Sequence, residues 1–156
     1  MPDTIHATLV QLFGCGVLLR GPSNSGKSSI ALRLLDEAEQ SRTPCSLIAD
    51  DQVILASKVD HLFGIAPDHL FGKIEMRGVG IIDVEARDQC MIDLVVDLVP
   101  QQSLERMPDE KLDYVTIADV KIRRIYIAER NPDASVIIRT ALKAFPEAAK
   151  SPPNFA

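Results

Sequence analysis

The sequence predicts an α/β fold, and three observations carry that reading. The first third changes period, from short apolar runs to helical spacing, across a glycine-rich segment. Apolar runs of strand length then recur as far as Ile127. A second segment of helical character follows, from Ser135 to Lys150.

Taken in order, Ile5 to Leu12 reads as a strand, and Gly14 and Gly16 around Cys15 mark a turn. Val17-Leu18-Leu19 is a buried-type strand. Gly21 to Gly26 is too rich in turn residues to be regular. From Lys27, Ile30, Leu34 and Ala38 recur at helical spacing, with Arg33, Asp36, Glu37 and Glu39 between them. Thr43-Pro44 ends that unit. Ser46 to Ala49 is a strand that stops at Asp50-Asp51, and Val53 to Leu55 continues extended. Ala66 to Leu70 reads as a loop. Glu75 to Val84 is strand-like but holds two glycines, and Ile92 to Val99 is a strand. Gln101 to Glu110 is polar, and Val120 to Ile127 alternates as a half-exposed strand does. The closing helix stops before Pro152-Pro153. This organisation predicts one domain over 1–150 and a short tail over 151–156.

Composition narrows the function. A chain of 156 residues is long enough to bury a core without disulfide or metal. The net charge of −5 argues against nucleic acid as a partner, as does the absence of tryptophan. Cys15, Cys45 and Cys90 lack paired metal-site spacing and read as small core residues. No basic leader precedes an apolar run, and no stretch reaches the ~20 apolar residues of a membrane span. The expectation is a soluble cytoplasmic protein with no membrane partner.

Gly21-Pro22-Ser23-Asn24-Ser25-Gly26-Lys27-Ser28 fits G-x-x-x-x-G-K-[S/T]. The glycines let successive N–H groups turn inward around a phosphate, and the following helix aims its N-terminus at the same anion. Lys27 would reach the β/γ phosphates, and the Ser28 hydroxyl would sit on a magnesium ion. The bland alternative is a chance glycine turn, which the preceding strand and following helix disfavour.

Two further segments bear on chemistry. Asp50-Asp51 ends the strand after the glycine-loop helix, where a carboxylate can hold magnesium or handle a proton. A solvated strand end is the alternative. Ligands of open α/β sheets sit outside the strands' carboxyl ends, which favours the first reading. Glu75-Met76-Arg77-Gly78-Val79-Gly80 is either a bulged strand or a hinged segment that closes on a ligand. Its carboxylate and arginine favour closure, with Arg77, Gly78 and Gly80 as the closing residues.

The glycine loop, Leu47 to Val53 (LIADDQV) and Glu75 to Val84 (EMRGVGIIDV) together resemble HPr kinase/phosphorylase. That family phosphorylates a seryl hydroxyl of HPr, the phosphocarrier of the bacterial phosphotransferase system. The resemblance runs from His6 to Val84 and more loosely onward, and it covers the catalytic domain only, as in the family's short form. It implies a P-loop kinase domain of the HPr kinase/phosphoenolpyruvate carboxykinase-like type, a mixed sheet with flanking helices. It further implies ATP and Mg2+ as cofactors, HPr as protein substrate, and a homo-oligomer, a hexamer in the family. Pyrophosphate as donor and inorganic phosphate as co-substrate stay open.

The resemblance also implies roles. His6 matches an active-site histidine, Lys27 the phosphate-binding lysine and Ser28 the magnesium-binding serine. Asp51 matches the residue that exchanges a proton with the serine hydroxyl, and Glu75 a magnesium ligand beside which Asp50 is a further candidate. Ile74 to Asp83 matches a segment linked to both activities, and Arg106 the family's later active-site arginine. Two positions depart from the pattern. Ser29 stands where glutamate is common, and Ile125 to Pro132 lacks the first proline and the glycine of a PVRPGRN stretch tied to phosphorolysis. Arg130-Asn131 keeps part of it. Lys121, Arg123 and Arg124 are a candidate basic patch for the protein substrate, or a solvated strand edge. The rival functions are a small-molecule P-loop kinase and a non-catalytic nucleotide-binding module.

Overall fold

A computed structural model describes residues 3–105 and 113–145. Among these residues, nine strands form one mixed sheet and two more form a separate hairpin. The order along the main path is β1-β5-β6-β9-β3-β2-β4, with β11 also on β9 and β10 on β11. The strands are β1 (Asp3–His6), β2 (Thr8–Leu12), β3 (Cys15–Arg20), β4 (Cys45–Ala49), β5 (Gln52–Lys58) and β6 (His61–Ile65). They continue with β9 (Gln89–Val99), β10 (Asp113–Ile117) and β11 (Val120–Ala128). The hairpin is β7 (Lys73–Met76) and β8 (Gly80–Asp83). Helix α1 spans Lys27–Ser41, α2 Gln101–Glu105 and α3 Ala134–Ala144.

Burial explains the layers. Strand β9 runs parallel to β3 on one edge and to β11 on the other. Its alternate residues Leu94, Val96 and Leu98 face one apolar cluster, and Ile92 and Val95 face another. The first cluster takes Ile30, Ala31, Leu34 and Ala38 from α1 and Ile138, Ala141 and Leu142 from α3. The spacing in α1 is one helical face, as its sequence period predicts. The second cluster is closed by Val53 and Leu55 of β5 and Leu62 of β6. The three cysteines are free and buried, and burial pushes the Cys15 thiol up to about 11 and Cys45 up to about 12.

Several elements differ from the sequence reading. The first strand is two, broken at Ala7, whose N–H donates to Asp51 O at 3.2 Å. The first turn is Phe13-Gly14, both with positive φ, so Cys15 and Gly16 belong to β3. Gly16 is a close-approach residue, because a Cβ there would lie 1.9 Å from Met91 O. The two glycines after Glu75 form neither a bulge nor an open loop: Gly78 and Gly80 adopt φ 89 and 107 at a hairpin turn. Strands β6 and β10 carried no clear sequence signal. The closing helix is described to Ala144, and the tail lies outside the described residues. No helix among the described residues is long and apolar enough to cross a membrane.

Candidate active site

Strand direction brings the candidate residues together. Strands β3, β4 and β11 end at one edge of the sheet, and β2, which runs the other way, begins there. That edge opens into a cleft of about 770 Å³, within the range of ligand sites.

The glycine loop joins β3 to α1. Gly26 is the N-cap at φ 106, a left-handed conformation that suits glycine. Asn24 is also left-handed, at φ 70. No side chain caps α1, so its first N–H groups and the positive end of its dipole are left to the cleft. Arg130 N–H braces the loop by donating to Ser25 O at 3.2 Å. The Lys27 ammonium folds onto the loop and donates to Gly21 O at 2.6 Å and Pro22 O at 3.0 Å. Burial lowers the Lys27 pKa, and the charges of Asp51 and Asp50 oppose that shift. Ser25 is buried, and a Cβ on Gly21 would meet its Oγ at 2.7 Å.

The adjacent carboxylates occupy opposite environments. Asp50 is buried, and its Oδ1 accepts from Ser28 Oγ at 2.8 Å and from Thr8 Oγ1 at 2.9 Å. Its Oδ2 accepts the Glu75 N–H at 3.4 Å. Gln52 N–H donates to Asp50 O, a tight reversal that sets Asp51 at φ 73. The Asp51 side chain is thrown outward, 66% exposed, with its Oδ1 2.9 Å from His6 Nε2.

The β7–β8 hairpin forms the far wall. Ile74 is buried in the core under α1, and this anchors the hairpin by one face. Its tip reaches the glycine loop, where the Arg77 guanidinium donates to Asn24 Oδ1. Glu75, Arg77, Gly78 and Gly80 all line the cleft.

His6, Asp50, Asp51, Ser23, Asn24, Gly26, Lys27 and Ser28 thus line one cleft with the hairpin. Gly21 and Pro22 supply carbonyls to Lys27. Arg106 lies outside the described residues. The sequence reading missed Thr8, whose signal was a polar side chain opening an apolar strand. It also missed Arg33, a charged position between the apolar residues of α1 that lines the cleft. Of the basic patch on β11, Lys121 is exposed over the Tyr114 ring, while the two arginines are engaged internally. Arg124 donates to Asp97 at 3.2 Å and Asp113 at 2.9 Å, and Arg123 is buried against Phe145.

Among the described residues no cluster of three or more His, Cys, Asp or Glu forms a ready metal cage. Magnesium does not need one, since one or two carboxylates complete its shell with substrate phosphates and water. The hard oxygens of Ser28, Asp50 and Glu75 beside an anion loop fit that cation.

Residues 2–151 match the family described as the HPr Serine kinase C-terminal domain. A protein named HPr kinase/phosphorylase from Thermoanaerobacter sp. (strain X514) is 35% identical over 151 residues, covering 88% of this chain and 47% of that protein. A protein of the same name from Peptoclostridium acidaminophilum is 33% identical over 154 residues, covering 91% and 48%. The chain therefore spans about half the length of these relatives. The solved structure of the Hpr(Ser) kinase/phosphatase from Coxiella burnetii superposes with a TM-score of 0.75 at 28% identity, covering 91% of this chain and 95% of that one. Matched over nearly its whole length, the chain belongs to the HPr serine kinase C-terminal domain family.

Proposed function

We propose that this chain is an ATP-dependent protein-serine kinase acting on HPr, the substrate after which its relatives are named. One observation carries the reading: an exposed carboxylate, Asp51, stands with His6 in the same cleft as an uncapped anion-binding helix start. A nucleotide-binding module has no need of an outward carboxylate held in a left-handed backbone.

The residues divide the work. The glycine-loop amides and Lys27 hold the triphosphate. Ser28, Asp50 and Glu75 would hold Mg2+, which would supply positive charge against the phosphate oxygens. Asp51 accepts the proton of the substrate serine as its oxygen bonds to the γ-phosphorus and the bond to the departing ADP oxygen breaks. His6 orients Asp51 through the 2.9 Å contact. Arg77, on the hairpin tip, closes the cleft and excludes water. Most of the acceleration comes from positioning and fixed charge. In the reverse direction, inorganic phosphate accepts the phosphoryl group from phosphoserine to give pyrophosphate, and Asp51 returns the proton.

The test is incubation of the purified chain with HPr and γ-labelled ATP, followed by excess phosphate. Label on an HPr serine is expected, absent with Lys27→Ala, and released as pyrophosphate in the second step. Label on small alcohols or nucleotides but not on HPr overturns the assignment. Nucleotide binding with no acceptor at all marks a regulatory module instead.

A further inference from the structure

The Asp50 carboxylate is held from three directions, and one of its partners has no part in the chemistry above. Ser28 Oγ and Thr8 Oγ1 both donate to Oδ1, at 2.8 and 2.9 Å, and the Glu75 N–H donates to Oδ2 at 3.4 Å. Thr8 is fully buried and Asp50 is 6% exposed, so water does not substitute readily for either partner.

The arrangement follows from the sheet. Thr8 is the first residue of β2, and the next residue, Leu9, pairs with Ala49, which directly precedes Asp50. The threonine hydroxyl therefore faces the end of β4 across one pair of neighbouring strands. A β-branched side chain is stiff at χ1, so Thr8 is a fixed post rather than a swinging one.

We propose that Thr8 is a positioning residue for the divalent cation, acting through Asp50. This rests on the reading of the cleft as a magnesium-nucleotide site. Tied at both oxygens, the carboxylate cannot rotate. It accepts the Ser28 O–H hydrogen bond in one direction and leaves the Ser28 lone pairs free for a cation. The same fixed carboxylate fastens the hairpin through Glu75. Without the Thr8 hydroxyl, Oδ1 keeps Ser28 alone, the carboxylate can turn, and both the serine and the Glu75 amide lose a fixed acceptor.

The experiment compares wild type with Thr8→Val and Thr8→Ser. Manganese affinity in the presence of ADP is read by electron paramagnetic resonance, and amide hydrogen exchange is read at Glu75. Removing a hydrogen-bonding partner behind a metal ligand typically weakens metal affinity about 10- to 100-fold, and that loss is expected for Thr8→Val. Faster exchange at Glu75 is expected with it. Thr8→Ser, which keeps the hydroxyl, is expected to restore both. In turnover the loss should appear as a raised metal requirement, with kcat at saturating metal changed much less. Wild-type manganese affinity in Thr8→Val, or a Thr8→Ser as impaired as Thr8→Val, overturns the proposal alone. A wild-type chain that binds no manganese with ADP overturns both this and the reading of the cleft.

Discussion

His6 Nε2 stands 2.9 Å from Asp51 Oδ1, and the two come from different strand ends. The contact holds an exposed carboxylate whose backbone is at φ 73. A left-handed conformation costs an ordinary residue roughly 1–2 kcal/mol, and aspartate somewhat less. Glycine at 51 should relieve that strain while removing the proton acceptor. Asp51→Gly is expected to keep or raise Tm and to lose phosphoryl transfer. Asp51→Asn should leave ATP affinity near wild type and cut kcat by about 10²- to 10⁴-fold, the usual contribution of a general base. Calorimetry beside steady-state kinetics checks both. An active Asp51→Asn would remove Asp51 from the chemistry.

Arg77 joins the hairpin to the glycine loop through the Asn24 side chain. The pair is exposed, and exposed polar contacts contribute only about 0–1 kcal/mol to folding. Arg77→Ala should therefore leave Tm almost unchanged. Hydrogen exchange over 73–83 should accelerate, and kcat/KM for the protein substrate should fall. Unchanged exchange would mean that Ile74 and the Glu75–Asp50 contact hold the hairpin without Arg77.

Gly16 and Gly64 both lie where the sheet has no room for a Cβ, but the obstacles differ. At Gly16 the added carbon would meet Met91 O at 1.9 Å, and at Gly64 it would meet Leu9 Cδ2 at 2.2 Å. A side-chain methyl can move, whereas a paired backbone carbonyl cannot without parting β3 from β9. Overpacking a core usually costs about 1–3 kcal/mol, and Gly64→Ala should fall in that range. Gly16→Ala should exceed it. Urea unfolding of the two variants ranks them, and the reverse order would refute the close-approach account of Gly16.

What was legible in the sequence follows from which physics leaves a local trace. The glycine loop, the paired aspartates and the face of α1 were visible because phosphate binding and helix burial constrain neighbouring residues. The turns were harder to read. Val59-Asp60 and Ala118-Asp119 take positive φ without any glycine, so β6 and β10 lacked the usual punctuation. Gly16 looked like a turn residue because its reason, the Met91 carbonyl, lies 75 positions away (91 − 16). Thr8 meets Asp50 42 positions away, through strand pairing that a single sequence does not display. The basic run on β11 suggested a docking patch, and only the tertiary structure shows that Asp97 and Asp113 neutralise Arg124.

Asp93 makes stability depend on pH. Burial pushes its carboxyl up from 3.8 to about 7, and the N–H of Gly16, 2.9 Å from Oδ2, opposes the shift. The native state thus holds this proton more tightly than the unfolded chain does. The contribution is whole below pH 3.8 and is lost as pH rises through about 7. At about 1.4 kcal/mol per unit, the gap of about three units (7 − 3.8) bounds the loss near 4 kcal/mol. Asp93→Asn keeps an acceptor for Gly16 and carries no charge to desolvate. Its unfolding free energy should fall less than that of wild type between about pH 5 and pH 8, and should exceed wild type at the upper end. Urea titrations across that window measure the difference directly. Parallel curves for the two proteins would show that Asp93 is ionised at no cost, and its burial would then need a compensating cation.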